Sequence, residues 1–233
     1  YKKISQPFSD TRNRVWTDCK AFEDIVKRGA HVLDAGCGNG KLVPWLVEQG
    51  VASYTGIDLN PNFIRIAGEK YSQVGEFYEG DLLTLGDHPA VKDKSFDVVL
   101  CIAVLHHLPS DAIRLDVLKN LRKKLSKGGV LCMTNWNLFQ ISGASKSVWK
   151  YFFKRTKDKS QYSEYPGLSW RDLLTHFKSG GMDEILYYYA FTAREITRLC
   201  KRAGFTIVES RYSSLGKKHH WWNGRNIITI AYV

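Results

Sequence analysis

The chain has 233 residues, 44% of them hydrophobic and 13% aromatic, and carries a formal net charge of +11. That length suits one domain with a core on both faces of a sheet, and the balance excludes an intrinsically disordered chain. No apolar run approaches the ~18 residues of a membrane span, and five scattered cysteines without a CxxC pair argue against a disulfide framework or a zinc site.

In chain order, residues 1–28 are expected to form a helical cap. "HVLDAG" reads as a short buried strand, and "KLVPWLVEQG" as a helix that tolerates Pro44 in its first turn and stops at Gly50. "SYTGIDL" is a second strand. The next helix starts at Pro61 behind Asn60 as cap. "GEFYEGDL" is a third strand, and "SFDVVLCIAV" a fourth, apolar enough for burial on both faces. "SDAIRLDVLKNLRKKLSKGG" is an amphipathic helix capped by Ser110 and stopped by Gly128, and "VLCMTNW" a fifth strand. Residues 137–183 show only weak helical periodicity and are expected to form an insertion over the crevice. Thr192 and Glu195 form a capping box for a last helix, and "FTIVESRYSS" and "RNIITIAYV" close the sheet as an antiparallel hairpin.

These alternating units predict an α/β fold: a doubly wound, mostly parallel sheet of seven strands with its ligand crevice at the strands' carboxyl ends. One domain is expected, divided into the cap (1–28), a core (29–136), an insertion on the substrate side (137–190) and a C-terminal helix with closing strands (191–233).

The core holds a pattern that invites a ligand. "VLDAGCGNGK" ends a strand on Asp34 and opens into Gly36, Gly38 and Gly40. The spacing is G-x-G-x-G, not the G-x-G-x-x-G of a dinucleotide loop. A carboxylate at the strand tip repels a pyrophosphate and suits a cation. Asp58 ends the second strand, placed to accept hydrogen bonds from two ribose hydroxyls, and Asp81 ends the third.

Three acids on consecutive strand tips, with "VLDAGCGNG", resemble the class I S-adenosylmethionine-dependent methyltransferases over residues 30–135. The resemblance implies S-adenosylmethionine as cofactor and S-adenosylhomocysteine as product. It implies Asp34, Gly36, Cys37, Gly38, Asn39 and Gly40 near the methionine part, and Asp58 with Leu59 at the ribose. Asp81 with Leu82 would surround the adenine, and Cys101 and Ile102 would complete the site from the fourth strand. No metal is expected.

Four further stretches, "ISQPFSDTRNRVW", "IAVLHHLPS", "TNW" and "YYYAFTAREI", resemble the tRNA wobble-uridine carboxymethyl methyltransferases. Phe8, Ser9, Thr11 and Arg12 match the motif before the core, His106 and His107 the double histidine, and Tyr187, Tyr188 and Phe191 the last element. The resemblance implies esterification of 5-carboxymethyluridine at the first anticodon position. Eukaryotic members of that family also work with a small partner protein. A carboxylate nucleophile arrives ionised and needs a holder more than a base. Arg12 offers a bidentate fork and His107 a second donor, so both are the expected catalytic residues. Thr11, Arg12, His106, His107, Trp136 and Tyr188 are expected at the substrate, with His106 packed beneath His107.

The charge is uneven. Residues 1–139 carry 18 Lys/Arg against 16 Asp/Glu, and residues 140–233 carry 16 against 7. In that second part basic and aromatic residues interleave, in "KSVWKYFFKRTKDK" and "GKKHHWWNGR", as a single-stranded RNA surface requires. Lys154 and Arg155 are expected to face the phosphates of an anticodon loop, and one of Trp221 and Trp222 to be exposed or stacked. A merely solvated basic surface stays open as an alternative. So do a small-molecule O- or N-methyltransferase and a catalytically silent RNA- or protein-binding module on the same scaffold. The expected compartment is a reducing cytoplasm, with no membrane contact.

Overall fold

A computed structural model describes residues 17–140, 148–149, 167–179 and 182–233. The first described element is a 3-10 helix at Thr17–Phe22, in the part of the expected cap that falls within these residues. Strand β1 (His31–Ala35) leads to helix α1 (Val43–Gln49), which Gly50 terminates in the left-handed region with φ 70°. Strand β2 (Ser53–Asp58) leads to α2 (Pro61–Tyr71), where the Asn60 side chain accepts from the Asn62 N–H at 3.1 Å. Strand β3 (Glu76–Glu79) and strand β4 (Phe96–Ile102) follow, then α3 (Asp111–Lys123) with the Ser110 hydroxyl accepting from the Ile113 N–H.

Strand β5 (Leu125–Trp136) begins earlier than the sequence pattern predicts. The run "LRKKLSK" reads as helix, but α3 ends at Lys123. Lys124 then buries its side chain and donates to the carbonyls of Val91 at 2.8 Å and Lys92 at 3.0 Å. Gly128 sits at φ 79° inside the strand, beside a register shift against β4, and is not a helix stop.

Within 137–183 a strand forms, β6 (Asp172–Ser179), paired antiparallel with β7 (Met182–Tyr189) in a separate two-stranded sheet. Helix α4 (Ala193–Arg202) carries the complete Thr192–Glu195 capping box. Strands β8 (Thr206–Ser214), β9 (Lys217–Lys218) and β10 (Asn226–Tyr232) finish the fold.

The main sheet has eight strands in the order β3-β2-β1-β4-β5-β10-β8-β9. Seven are those expected, and the eighth is the two-residue β9 at the edge. Strands β3 to β5 pair in parallel, while β10 runs antiparallel between β5 and β8. Order reverses beside β1, which opens the crevice at its carboxyl end.

Two apolar layers cover the sheet. One, under α3 and α4, joins Leu33, Val99, Cys101, Met133, Phe191 and Ile227; the other, under α1 and the 3-10 helix, joins Val32, Leu100, Cys132, Phe22, Leu46 and Ile228. Burial of each large aliphatic side chain stabilises by about 1.5–3 kcal/mol. A third cluster, with Leu138, Leu173, Leu186 and Tyr188, packs beneath the β6–β7 hairpin. Asp18 ties the 3-10 helix to the far edge of the sheet. Its carboxylate is buried and accepts from Ser213 Oγ at 2.9 Å, the Gly216 N–H at 2.8 Å and Asn226 Nδ2 at 2.5 Å. No helix among the described residues is long and apolar enough to cross a membrane.

Candidate active site

The turn after β1 is fixed by its own backbone. The N–H groups of Gly36 and Cys37 both donate to the Ile57 carbonyl, at 2.7 and 3.1 Å, folding the loop over the end of β2. Gly36 has φ 85°, and a Cβ there would lie 2.4 Å from Val104 Cγ2, so glycine is required twice over. Gly38 has φ 55°, and the space where its Cβ would stand is open. There the backbone itself is presented, and only the conformation demands glycine.

Asp34 is 1% exposed. Its Oδ2 accepts from the Tyr54 hydroxyl at 3.0 Å, and its Oδ1 is buried with no hydrogen-bond partner among the described residues. Burial pushes the carboxyl up to about 7, against the opposing pull of the Tyr54 hydrogen bond and of Lys41. Asp58 accepts from the Gly38 N–H through Oδ2 and from the Asn60 N–H through Oδ1, each at 2.9 Å. Burial raises it too, and those two backbone donors work against the rise. Asp81 accepts from the Leu83 N–H at 2.9 Å, and Asn120 Nδ2 grips the Leu82 and Leu83 carbonyls from α3.

All three acids line one cavity of about 380 Å³. Its wall also contains Gly36, Cys37, Gly38, Asn39, Leu59, Leu82 and Ile102, as the motif resemblance leads one to expect. Two expected residues are absent from it. Gly40 is a packing glycine: a Cβ there would meet Tyr71 at 3.0 Å and Ala67 at 3.2 Å. Cys101 takes the opposite face of β4 from Ile102 and lies in the core under α3 and α4, because side chains alternate along a strand. All five cysteines are free and buried; Cys37 reaches the cavity wall, but burial and the neighbouring Asp34 push its thiol well above the ordinary value, so it is not poised as a nucleophile.

The wall includes residues that motif reading missed, among them Lys41, Phe63 and Ala103. Ala103 has φ 59°, a left-handed conformation that costs a non-glycine residue about 1–2 kcal/mol, and its N–H is held by the Thr134 carbonyl at 3.0 Å. Only the position immediately after an apolar strand could have signalled it.

At the far side of the cavity stands His107. It joins a cluster of four rings: His106 at 4.3 Å between centroids, Tyr188 at 4.9 Å and Trp136 at 6.0 Å, with Trp136 stacked on Tyr188 at 5.2 Å. His106 is fully buried, beneath His107 as expected. The Trp136 N–H donates to His106 Nδ1 at 3.4 Å. His107 Nδ1 lies 3.4 Å from the Tyr187 carbonyl.

The strand bearing Tyr187 is itself tied down. Arg114, 2% exposed, donates from Nη2 to the Tyr187 hydroxyl at 3.0 Å and from Nε to the Leu108 carbonyl at 3.0 Å, with its guanidinium 3.8 Å above the Tyr189 ring. The Tyr187 hydroxyl donates to Asp172.

The structure thus brings His106, His107, Trp136 and Tyr188 together beside the cavity. Thr11, Arg12, Lys154 and Arg155 lie outside the described residues. Trp221 and Trp222 stand on a turn, not a strand; Trp222 is exposed and stacked, as expected of one of the pair, and Trp221 is exposed as well. A strand forces alternation, but this turn does not.

The residues present fit S-adenosylmethionine. Asp34 Oδ1, without a partner among the described residues, suits an ammonium, Asp58 keeps lone pairs for ribose hydroxyls, and Leu59, Phe63 and Leu82 offer apolar surface to an adenine.

The chain is 28% identical over 228 residues to the tRNA (carboxymethyluridine(34)-5-O)-methyltransferase of Schizosaccharomyces pombe, covering 95% of this chain and 92% of that one. It is 33% identical over 212 residues to a protein of Encephalitozoon cuniculi named as a methyltransferase, covering 90% and 86%. The crystal structure of a SAM-dependent methyltransferase from Methanosarcina mazei shares the fold, with a TM-score of 0.69 at 22% identity over 91% of this chain and 95% of that one. A family profile described as a methyltransferase domain matches residues 8–210, and with the match spanning most of its length the chain belongs to that family.

Proposed function

We propose that the protein transfers a methyl group from S-adenosylmethionine to the carboxylate of 5-carboxymethyluridine at the wobble position of tRNA. The observation that carries this reading is His107: one side chain belongs both to the acid-lined cavity and to the four-ring cluster. The cavity supplies the donor's place. Within the cluster His106 and Tyr188 are buried, and the half-buried His107 and Trp136 offer the ring surface against which an unpaired base can stack, as RNA loops offer their bases. The overall likeness to the Schizosaccharomyces pombe enzyme supports the same acceptor.

When bound, the cofactor supplies an already activated methyl group, so the protein's task is alignment and exclusion of water. Asp34 and Asp58 fix the donor end. The acceptor carboxylate needs no base at neutral pH. His107 is the donor proposed to hold one of its oxygens, leaving the other to attack. Arg12 is proposed as the second holder, by virtue of its motif.

The test incubates the protein and methyl-labelled cofactor with total tRNA from a strain lacking wobble methyl esters, then separates nucleosides by mass spectrometry. Base-labile label in 5-methoxycarbonylmethyluridine is the expected result. Label in a small molecule, or base-stable label in another nucleoside, refutes it.

A further inference from the structure

Beyond the acceptor pocket, the same end of the sheet carries a second aromatic surface. Strand β10 starts at Asn226, paired with Trp136 at the end of β5. The turn that feeds β10 therefore lies at the sheet's crevice end, next to the four-ring cluster that contains Trp136. On this turn His220 and Trp222 stack face to face, with centroids 4.3 Å apart and planes within 1°. Trp221 stands edge-on to Trp222 at 5.7 Å. His220 is exposed, and the two tryptophans are 43% and 42% exposed.

The turn is built to hold these rings in place. Asn137, the residue after Trp136, donates from Nδ2 to the Trp221 carbonyl at 2.6 Å and to the Gly224 carbonyl at 2.7 Å. Asn223 Oδ1 accepts from the His220 N–H at 3.0 Å, and the Gly224 N–H donates back to the His220 carbonyl at 2.8 Å. A Cβ at Gly224 would lie 2.9 Å from Tyr212 Cβ, which fixes the turn against β8. Exposed aromatics left without burial are costly; here they are also held rigid, which removes the ordering entropy from any later binding step.

Charge selects the partner. Lys217, Lys218 and Arg225 flank the rings, all exposed, and no Asp or Glu occurs after Glu209. Stacking faces flanked by cations suit a single-stranded polyanion better than an apolar protein surface.

We infer that the His220–Trp222 stack is a second base platform, which receives an unpaired nucleotide flanking the one that is methylated. The inference rests on the RNA reading proposed above. It adds a contact outside the pocket, with Lys217, Lys218 and Arg225 following the phosphates.

The test measures binding of a fluorescent anticodon stem-loop RNA, with a blunt RNA duplex as control, to the wild-type chain and to Trp222→Ala, His220→Ala and Trp222→Phe. Loss of a stacked base weakens binding roughly tenfold. Trp222→Ala and His220→Ala should show that loss for the stem-loop alone, Trp222→Phe should stay within about threefold, and S-adenosylmethionine affinity should be unchanged in all. Wild-type binding to the stem-loop with Trp222→Ala equal to it overturns the platform and leaves the RNA reading intact. A wild-type chain that does not prefer the stem-loop overturns both. Loss of a protein–protein association in Trp222→Ala, with RNA affinity kept, overturns the platform in favour of a protein partner.

Discussion

Tyr54 and Asp34 share one hydrogen bond of 3.0 Å, and it leaves the other carboxylate oxygen of Asp34 buried without a partner among the described residues. In the free protein burial pushes this carboxyl up to about 7. A cation seated at Oδ1 favours the ionised form and draws the pKa down. Cofactor affinity should therefore rise with pH up to about 7 and level off above it, with proton release on binding below that point. Calorimetry across this range in buffers of different ionisation enthalpy checks both. Tyr54→Phe removes a hydrogen bond that lowers the pKa, so its affinity midpoint should move upward. A flat profile refutes the ammonium role of Asp34.

The same shift has a stability consequence of defined sign. The folded pKa lies above the ordinary value of 3.8, so Asp34 penalises folding only where the unfolded chain ionises more readily. The penalty is absent below about pH 4, grows as pH rises, and is complete above about 7. The difference between 3.8 and about 7 corresponds to about 4 kcal/mol. Without cofactor, Asp34→Asn should raise Tm at pH 8 and change it little at pH 4, while weakening cofactor binding. Thermal melts at both values check the sign.

Ala103 gives a smaller test. Its φ of 59° stands beside an N–H bond to the Thr134 carbonyl at the cavity wall. Ala103→Gly should gain up to about 1 kcal/mol in urea unfolding, and Ala103→Val should lose at least as much.

Asp18 gathers three donors from β8, the following turn and β10. Asp18→Ala strands them in the interior and should cost about 3 kcal/mol or more. Hydrogen exchange should show protection lost first in residues 17–22 and 213–226, with the cavity residues less affected.

Arg114 is linked to His107 through Tyr187, whose hydroxyl accepts from Arg114 and whose carbonyl lies 3.4 Å from His107 Nδ1. Tyr187→Phe removes the acceptor for Arg114 and the donor to Asp172, while keeping the ring and the backbone carbonyl. It should lower methyl-transfer turnover with cofactor affinity kept. Arg114→Lys should show the same pattern more strongly, since an ammonium cannot span Leu108, Asp111 and Tyr187 together.

Much of this was legible in the sequence because it rests on local chemistry. A buried strand that ends on an acid and opens into glycines has few uses, and Asp34, Asp58 and Asp81 do share one cavity. Caps at Asn60, Ser110 and Thr192 needed no long-range information. The misses were long-range. Cys101 differs from Ile102 only in which face of β4 it takes, and helices far along the chain decide that. The β6–β7 pairing joins "DLLTHFKS" to "MDEILYYY", whose mixed polar and aromatic residues give no clean alternation. Lys124 leaves its helix for carbonyls more than thirty residues earlier, and nothing in "LRKKLSK" announces them.

The place of β10 bears on how the molecule is made. Residues 226–232 supply a strand that lies between β5 and β8, with Ile227, Ile228 and Ala231 buried. Until they emerge from the ribosome, the nascent chain holds β5 with an open flank and β8 paired only with the two-residue β9. Such an unpaired edge invites pairing with another chain. The half-made sheet must be shielded, or completed quickly, each time the protein is synthesised.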